Sequence, residues 1–280
     1  MPSERPWEAG TRLAKSLSYV ICAAFGELEP PAMDSPGYIV LSRLIAQTRA
    51  TAVTANNVAN ADTPGFRAAR PVFGAVLERQ MGVEAPQGGR DLAFSQDRAT
   101  FRDAAPGSLA VTGNPLDLAL PTPEGYFAVE TPRGERFTRA GRFSLDAEGK
   151  VVDPEGNALL GTDGRPLRIA PGESRIEVQG DGTLRTESGP AGKVRVVRFA
   201  DIQSLQAEGD RLFAAPPDLR PEPVASPGVV QGAVEGSNVR PVIELTRLTE
   251  DMRQFQFVAQ MAEREGERLG TAVERILKRR

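Results

Sequence analysis

Between Leu245 and Ile276 the sequence holds one apolar seam. Leu245, Leu248, Met252, Phe255, Ala259, Ala262, Gly266, Leu269, Val273 and Ile276 keep the alternating three- and four-residue spacing of heptad a and d sites. The flanking positions are polar or charged, Arg247, Glu250, Arg253, Gln254, Glu263, Arg264 and Glu267 among them. A stripe that narrow cannot be buried against a broad core and calls for another helix. The pattern predicts a helix from about Asn238 to Lys278. Ser237 and Asn238 are N-cap residue types, and Pro241 is tolerated in a first turn. Lys278, Arg279 and Arg280 complement the negative end of the helix dipole.

A weaker stripe lies near the other end. After Ser35-Pro36, an N-cap followed by an N1 proline, Leu41, Leu44, Thr48, Thr51, Ala55 and Val58 keep the same spacing, with Ile45, Ala52 and Ala59 beside them. This predicts a helix from about Tyr38 to Asn60. Its small side chains allow close approach, so the two ends are expected to pack together, bringing residues near 45 and near 260 into contact. Separate docking of each helix on the middle of the chain fits the pattern as well.

That middle, from about Phe66 to Gln231, is rich in Gly and Pro and carries short alternating runs: Leu116–Leu120, Arg175–Val178 and Lys193–Phe199. They read as strands with one buried face, separated by turns such as Ala147-Glu148-Gly149, Pro154-Glu155-Gly156-Asn157 and Thr162-Asp163-Gly164. The fold class that follows is α+β, with paired terminal helices forming a coiled-coil-like domain and a central β-rich domain. The expected organisation is an extension at 1–32, an N-terminal helix and turn at 33–65, the β-rich region at 66–235 and the C-terminal helix at 236–280.

Between helix and sheet runs Ala55-Asn56-Asn57-Val58-Ala59-Asn60-Ala61-Asp62-Thr63-Pro64-Gly65-Phe66-Arg67. Asparagines suit a helix end, and Pro64-Gly65 fits the centre of a type II turn. Asn56 and Asn57, however, stand inside the last turns, where asparagine is a poor helix former, and this points to polar contacts with a neighbour.

Composition narrows the chemistry. The 280 residues include no histidine and one cysteine, Cys22. The commonest general base and metal ligand is therefore missing, an internal disulfide is impossible, and no Cys/His zinc site can be built. No catalytic, cofactor-binding or metal-binding residue is assigned. A net charge of -3 without a basic block gives no footing for nucleic acid, and no run reaches the ~20 apolar residues of a membrane span. Arg12 and Lys15 before the apolar run Leu17–Phe25, with Ala24-Phe25-Gly26 behind it, have the outline of a secretory signal peptide, although Glu4 and Glu8 weaken it. Met33 offers a natural beginning, and residues 1–32 are accordingly read as a non-native or disordered extension.

The asparagine run resembles the N-terminal signature of flagellar rod and hook proteins, a helix ending in Asn-Asn-x-Ala-Asn-x-x-Thr-x-Gly-Phe. Asn56, Asn57, Ala59, Asn60, Thr63, Gly65 and Phe66 fall on it without gaps. Thr112–Leu120, Gly125-Tyr126-Phe127 and Phe137–Phe143 resemble the central β domain of that family. Glu235–Val239 followed by Arg253-Gln254-Phe255 resembles its C-terminal signature, with Gln256 where the family usually has Glu. Tyr38–Arg43 and Ala68 look more like the proximal-rod F-type members than the distal-rod or hook types. The resemblance implies a structural, non-enzymatic subunit of the basal-body rod, exported from the cytoplasm through the flagellar export apparatus. It would pack its terminal helices against copies of itself and against other rod and hook proteins in the periplasm-spanning rod. The implied assembly interface is Leu41, Leu44, Asn56, Asn57, Asn60, Thr63, Gly65, Phe66, Ser237, Asn238, Leu245, Leu248, Met252, Phe255, Leu269, Val273 and Ile276. The alternatives are a distal-rod or hook subunit, or a secreted β-rich binding module. An enzyme would have to use Asp117 or Glu124 beside Tyr126, and carboxylates near turns are ordinarily solvated surface. A glycan-binding face lacks Trp in the centre of the chain.

Overall fold

The computed structural model describes residues 35–80, 90–173, 175–209 and 211–278. The expectations for residues 1–32, Cys22, Arg279 and Arg280 lie outside them. Two helices flank a β-rich middle, as the α+β reading requires: α1, Ser35–Ala59, and α2, Pro241–Lys278.

Helix α2 starts three residues later than the N-cap residues suggest, because those side chains are engaged elsewhere. The Ser237 hydroxyl accepts from Val239 N at 3.2 Å, and the Asn238 carbonyl oxygen accepts from Ala68 N at 2.7 Å. The first helical bond runs from Glu244 N to Arg240 O, which puts Pro241 at N1, where its missing N–H costs nothing.

Strands β1, Ala69–Gln80, and β2, Arg90–Arg102, make a long antiparallel hairpin, with an irregularity at Val72/Phe73. This hairpin has no apolar alternation to announce it: Arg70-Pro71 opens it, and Ser95-Gln96-Asp97-Arg98 runs along its second strand. It lies on α1 through polar contacts, with Ser95 N donating to Ser42 Oγ at 3.3 Å and Arg49 facing Asp97 at 3.6 Å. After β2 come β3, Leu109–Val111, and β4, Leu118–Ala119. β3 pairs with the strand Ala233–Glu235 that leads into α2.

The main sheet is built on β5, Gly125–Thr131, which turns tightly into β6, Gly134–Thr138. Outward from β6 lie Leu212–Ala214 and Gln206–Ala207; across β5 lie Val196–Arg198 and Ala158–Leu159, the latter continued by Val151–Val152 and Ser144–Leu145. All these pairs are antiparallel. β5 separates two cores. Phe127 and Val129 face Leu118, Phe143, Leu159 and Val196, whereas Tyr126 and Ala128 face Phe137, Val197, Phe199 and Phe213. The run Lys193–Phe199 therefore differs from a strand with one wet face: Val196 and Val197 enter opposite cores, because loops and further strands cover both sides of the sheet. Edge-to-face aromatic contacts at 4.8 to 5.8 Å order the second core around Tyr126, Phe137, Phe199 and Phe213. The turns fall where Gly, Asn and Asp place them. In one, Asp146 Oδ1 accepts from Glu148 N and Lys150 N, and Gly149 takes the left-handed φ of 76°.

Candidate assembly surface and the joint that presents it

The two helices pack against each other antiparallel. Asn57 donates to Glu244 Oε2 at 3.4 Å, Thr54 to Asp251 Oδ2 at 3.1 Å, and Gln47 to Asp251 Oδ1 at 3.2 Å. Ala46, Gln47, Val53, Thr54 and Asn57 are buried on α1; on α2 Glu244 and Val258 are buried, with Leu248, Asp251 and Ala262 half-buried. The pairing thus turns α2 by about one position from the apolar seam. The reason lies in α1: its inner face is too polar to receive Leu, Met and Phe, and its Gln, Thr and Asn find carboxylate partners instead.

The seam consequently remains uncovered by the described residues. Met252 is 53% exposed, Val273 55% and Ile276 69%, with Leu245, Phe255 and Leu269 exposed beside them; Leu248, Ala259 and Ala262 are turned partly inward. On α1, Leu41 is 50% exposed and Leu44 half-buried, and Tyr38 and Ile45 continue the exposed row. Beyond Glu265 every described α2 residue is exposed, so the end of this helix projects past its pairing with α1. Phe257 and Met261, outside the heptad pattern, add to the exposed apolar surface.

The asparagine run and the crossover before α2 form the joint that holds these helices. Asn57 is buried and exchanges two hydrogen bonds of 2.9 Å with the backbone of Ala69, which fixes the start of the hairpin. Asn60 bonds back to Asn56 O and accepts from Thr63, finishing the helix locally, while Asn56 itself points out. Asn238 clamps two segments to its own: its side chain accepts from Ala68 N and donates to Ala105 O at 2.9 Å, and its backbone N–H donates to Phe66 O. Half-buried Phe66 lies in the same turn. Gly65 is buried with φ 71°, its N–H donating to Glu235 O at 2.8 Å; a Cβ there would sit 2.5 Å from Ala140 N. Asn57, Gly65 and Asn238 therefore position the helices, and the apolar rows face outward.

Sequence reasoning assigned no role to the charges inside this joint. Glu244 is buried, bonded by Arg70 at 2.8 Å and Arg247 at 3.0 Å as well as by Asn57. Burial pushes its carboxyl up, but the Arg70 bond and charge, the Asn57 amide and Arg247 together hold it below the usual glutamate value. Deeper in, Arg67 and Arg139 share the single carboxylate of Glu235. Arg139 bonds Glu235 Oε2 and the carbonyls of Leu120, Thr122 and Gly125, and Arg67 lies 3.9 Å from Glu235 Oε1. Both guanidiniums lie about 6 Å from the Tyr126 ring centre, beside N–H groups that reach no oxygen. Burial lowers the pKa of Arg139, against the raising effect of Glu235. The available signal was a charge inside an otherwise apolar run, Ala233-Val234-Glu235.

Among the described residues no cluster of His, Cys, Asp or Glu could hold a metal, and no helix is long and apolar enough to cross a membrane. Residues 38–67 match the family described as flagella basal body rod protein, 122–186 the flagellar hook protein FlgE/F/G D1 domain, and 230–275 the flagellar basal body rod FlgEFG protein C-terminal region. The chain is 33% identical over 244 residues to the flagellar basal-body rod protein FlgF of Caulobacter vibrioides, covering 87% of this chain and 98% of that protein. It is 31% identical over 245 residues to FlgF of Salmonella typhimurium, covering 80% and 91%, and 30% identical over 241 residues to the rod protein FlgG of Agrobacterium fabrum, covering 78% and 90%.

Proposed function

The chain belongs to the flagellar basal-body rod protein family, in its FlgF type, and from that premise we propose that it builds the rod by burying the exposed apolar rows of its two terminal helices against neighbouring subunits. It is a structural subunit, as its relatives are, and not an enzyme. The observation that carries the assembly reading is the heptad seam of α2, folded and yet, among the described residues, with Leu245, Met252, Phe255, Leu269, Val273 and Ile276 left exposed. Apolar side chains at that spacing recover their burial only when another helix covers them. The neighbours are copies of this chain and other rod and hook proteins, reached after passage through the flagellar export apparatus. A deletion strain tests the role. Electron microscopy of its basal bodies is expected to show the rod missing or truncated, and the gene supplied in trans should restore it. Complete rods in the deletion strain would refute the proposal.

A further inference from the structure

At the start of α2 a cleft of about 550 Å³ opens between the hairpin end, the crossover and the first helical turns. Three guanidiniums line it: Arg70, Arg240 and Arg247. Two of them are engaged, since Arg70 and Arg247 both bond the buried Glu244 carboxylate. Arg240 is exposed and has no acceptor among the described residues. The other carboxylate of the cleft, Asp103, accepts from Ala105 N in its own turn. The cleft is thus net cationic, with one unpaired guanidinium shaped for a carboxylate.

A matching acid stands at the far end of the same helix. The turns of α2 beyond Glu265 project from the α1 pairing, and the carboxylates from Glu265 onward are Glu265, Glu267 and Glu274. Glu265 is held by Arg268 and Glu274 by Lys278, whereas Glu267 has no cation partner among the described residues. Its position on the projecting end leaves it free to enter another subunit, and this chain cannot satisfy Arg240 with it, because the two lie at opposite ends of one long helix.

We infer that the arginine cleft is an intersubunit socket, in which Arg240 of one copy receives the Glu267 carboxylate on the projecting helix end of a second copy. This rests on the rod reading and specifies a polar contact that sets the register of the apolar packing. In the deletion strain, Arg240→Glu is expected to lower the amount of the chain in isolated basal bodies at least about tenfold, the scale of a lost interfacial charge pair. Combining it with Glu267→Arg should restore incorporation, and Arg240→Gln should give an intermediate loss. Thermal unfolding of each purified variant is expected to match the wild type, since both side chains are exposed. Normal incorporation of Arg240→Glu would overturn the socket while leaving the rod reading intact. Loss without rescue by the reversed pair would overturn Glu267 as its occupant. Failure of the wild-type gene to restore rods would instead overturn the rod reading itself.

Discussion

Replacing Glu235 by Gln changes one oxygen for one NH2 and removes the one carboxylate that, among the described residues, pairs with Arg67 and Arg139. Both guanidiniums are buried, with side-chain exposures of 1% and 0%, and neither can turn to water. Three of their nitrogens lack an acceptor, and their other acceptors, the carbonyls of Leu120, Thr122, Pro123 and Gly125, are neutral, so Glu235 supplies the countercharge for two buried positive charges. Breaking a buried pair by neutralising one partner costs about 3–5 kcal/mol. In a domain of this size 1 kcal/mol corresponds to roughly 2–4 °C, so Glu235→Gln is expected to lower the melting temperature by about 6–20 °C. The assay is thermal unfolding by circular dichroism on purified protein, with Glu222→Gln as control. Glu222 pairs with Arg198 in solvent, both side chains more than half exposed, and its loss should shift melting by no more than about 2 °C. If Glu235→Gln melted within about 2 °C of the wild type, the buried charges would not depend on this carboxylate, and the account of the joint would fail.

Other perturbations separate the remaining contributions. Gly65→Ala combines a left-handed backbone, about 1–2 kcal/mol, with a steric overlap against Arg139 and Ala140 worth about 1–3 kcal/mol more. Gly156→Ala has the same sign of φ but open space around it and should cost only the first part, so equal melting temperatures for the two variants would contradict the close approach. Glu244 has a folded-state pKa below its unfolded value; its contribution is therefore present above the ordinary glutamate range and disappears as pH falls through the lower folded value. The melting difference between wild type and Glu244→Gln should accordingly be largest above about pH 5 and shrink toward about pH 3, and a difference independent of pH would exclude this role.

The parts of the fold legible in the sequence were those with a period or a turn signal. The α2 seam was legible because heptad spacing depends only on residue order. The Asp-x-x-Gly turns were legible because their side chains bond their own backbone two residues on. The hairpin of β1 and β2 was not, because it lies on α1 through Ser42, Arg49 and Asp97 and needs no apolar alternation. The orientation of α2 was also hidden. Spacing identified the stripe, but which face meets α1 depends on Gln47, Thr54 and Asn57 finding Asp251 and Glu244, contacts across nearly the whole chain. Likewise the asparagines were read as facing a neighbour, and the structure gives Asn57 partners within the chain while leaving Asn56 outside. The Arg67, Arg139 and Glu235 cluster joins three distant segments, and only the tertiary fold brings them together.

On the proposed assembly, the rod buries a face of α2 that is already exposed in the folded subunit. Met252→Asp together with Val273→Asp places charges on that face without touching the joint, since both side chains are more than half exposed. Cryo-electron microscopy of basal bodies from a strain carrying this double variant, beside the melting temperature of the purified protein, measures assembly and folding separately. Missing or truncated rods are expected, with melting within about 2 °C of the wild type, as surface substitutions allow. Complete rods containing the variant in wild-type amount would contradict the proposed assembly.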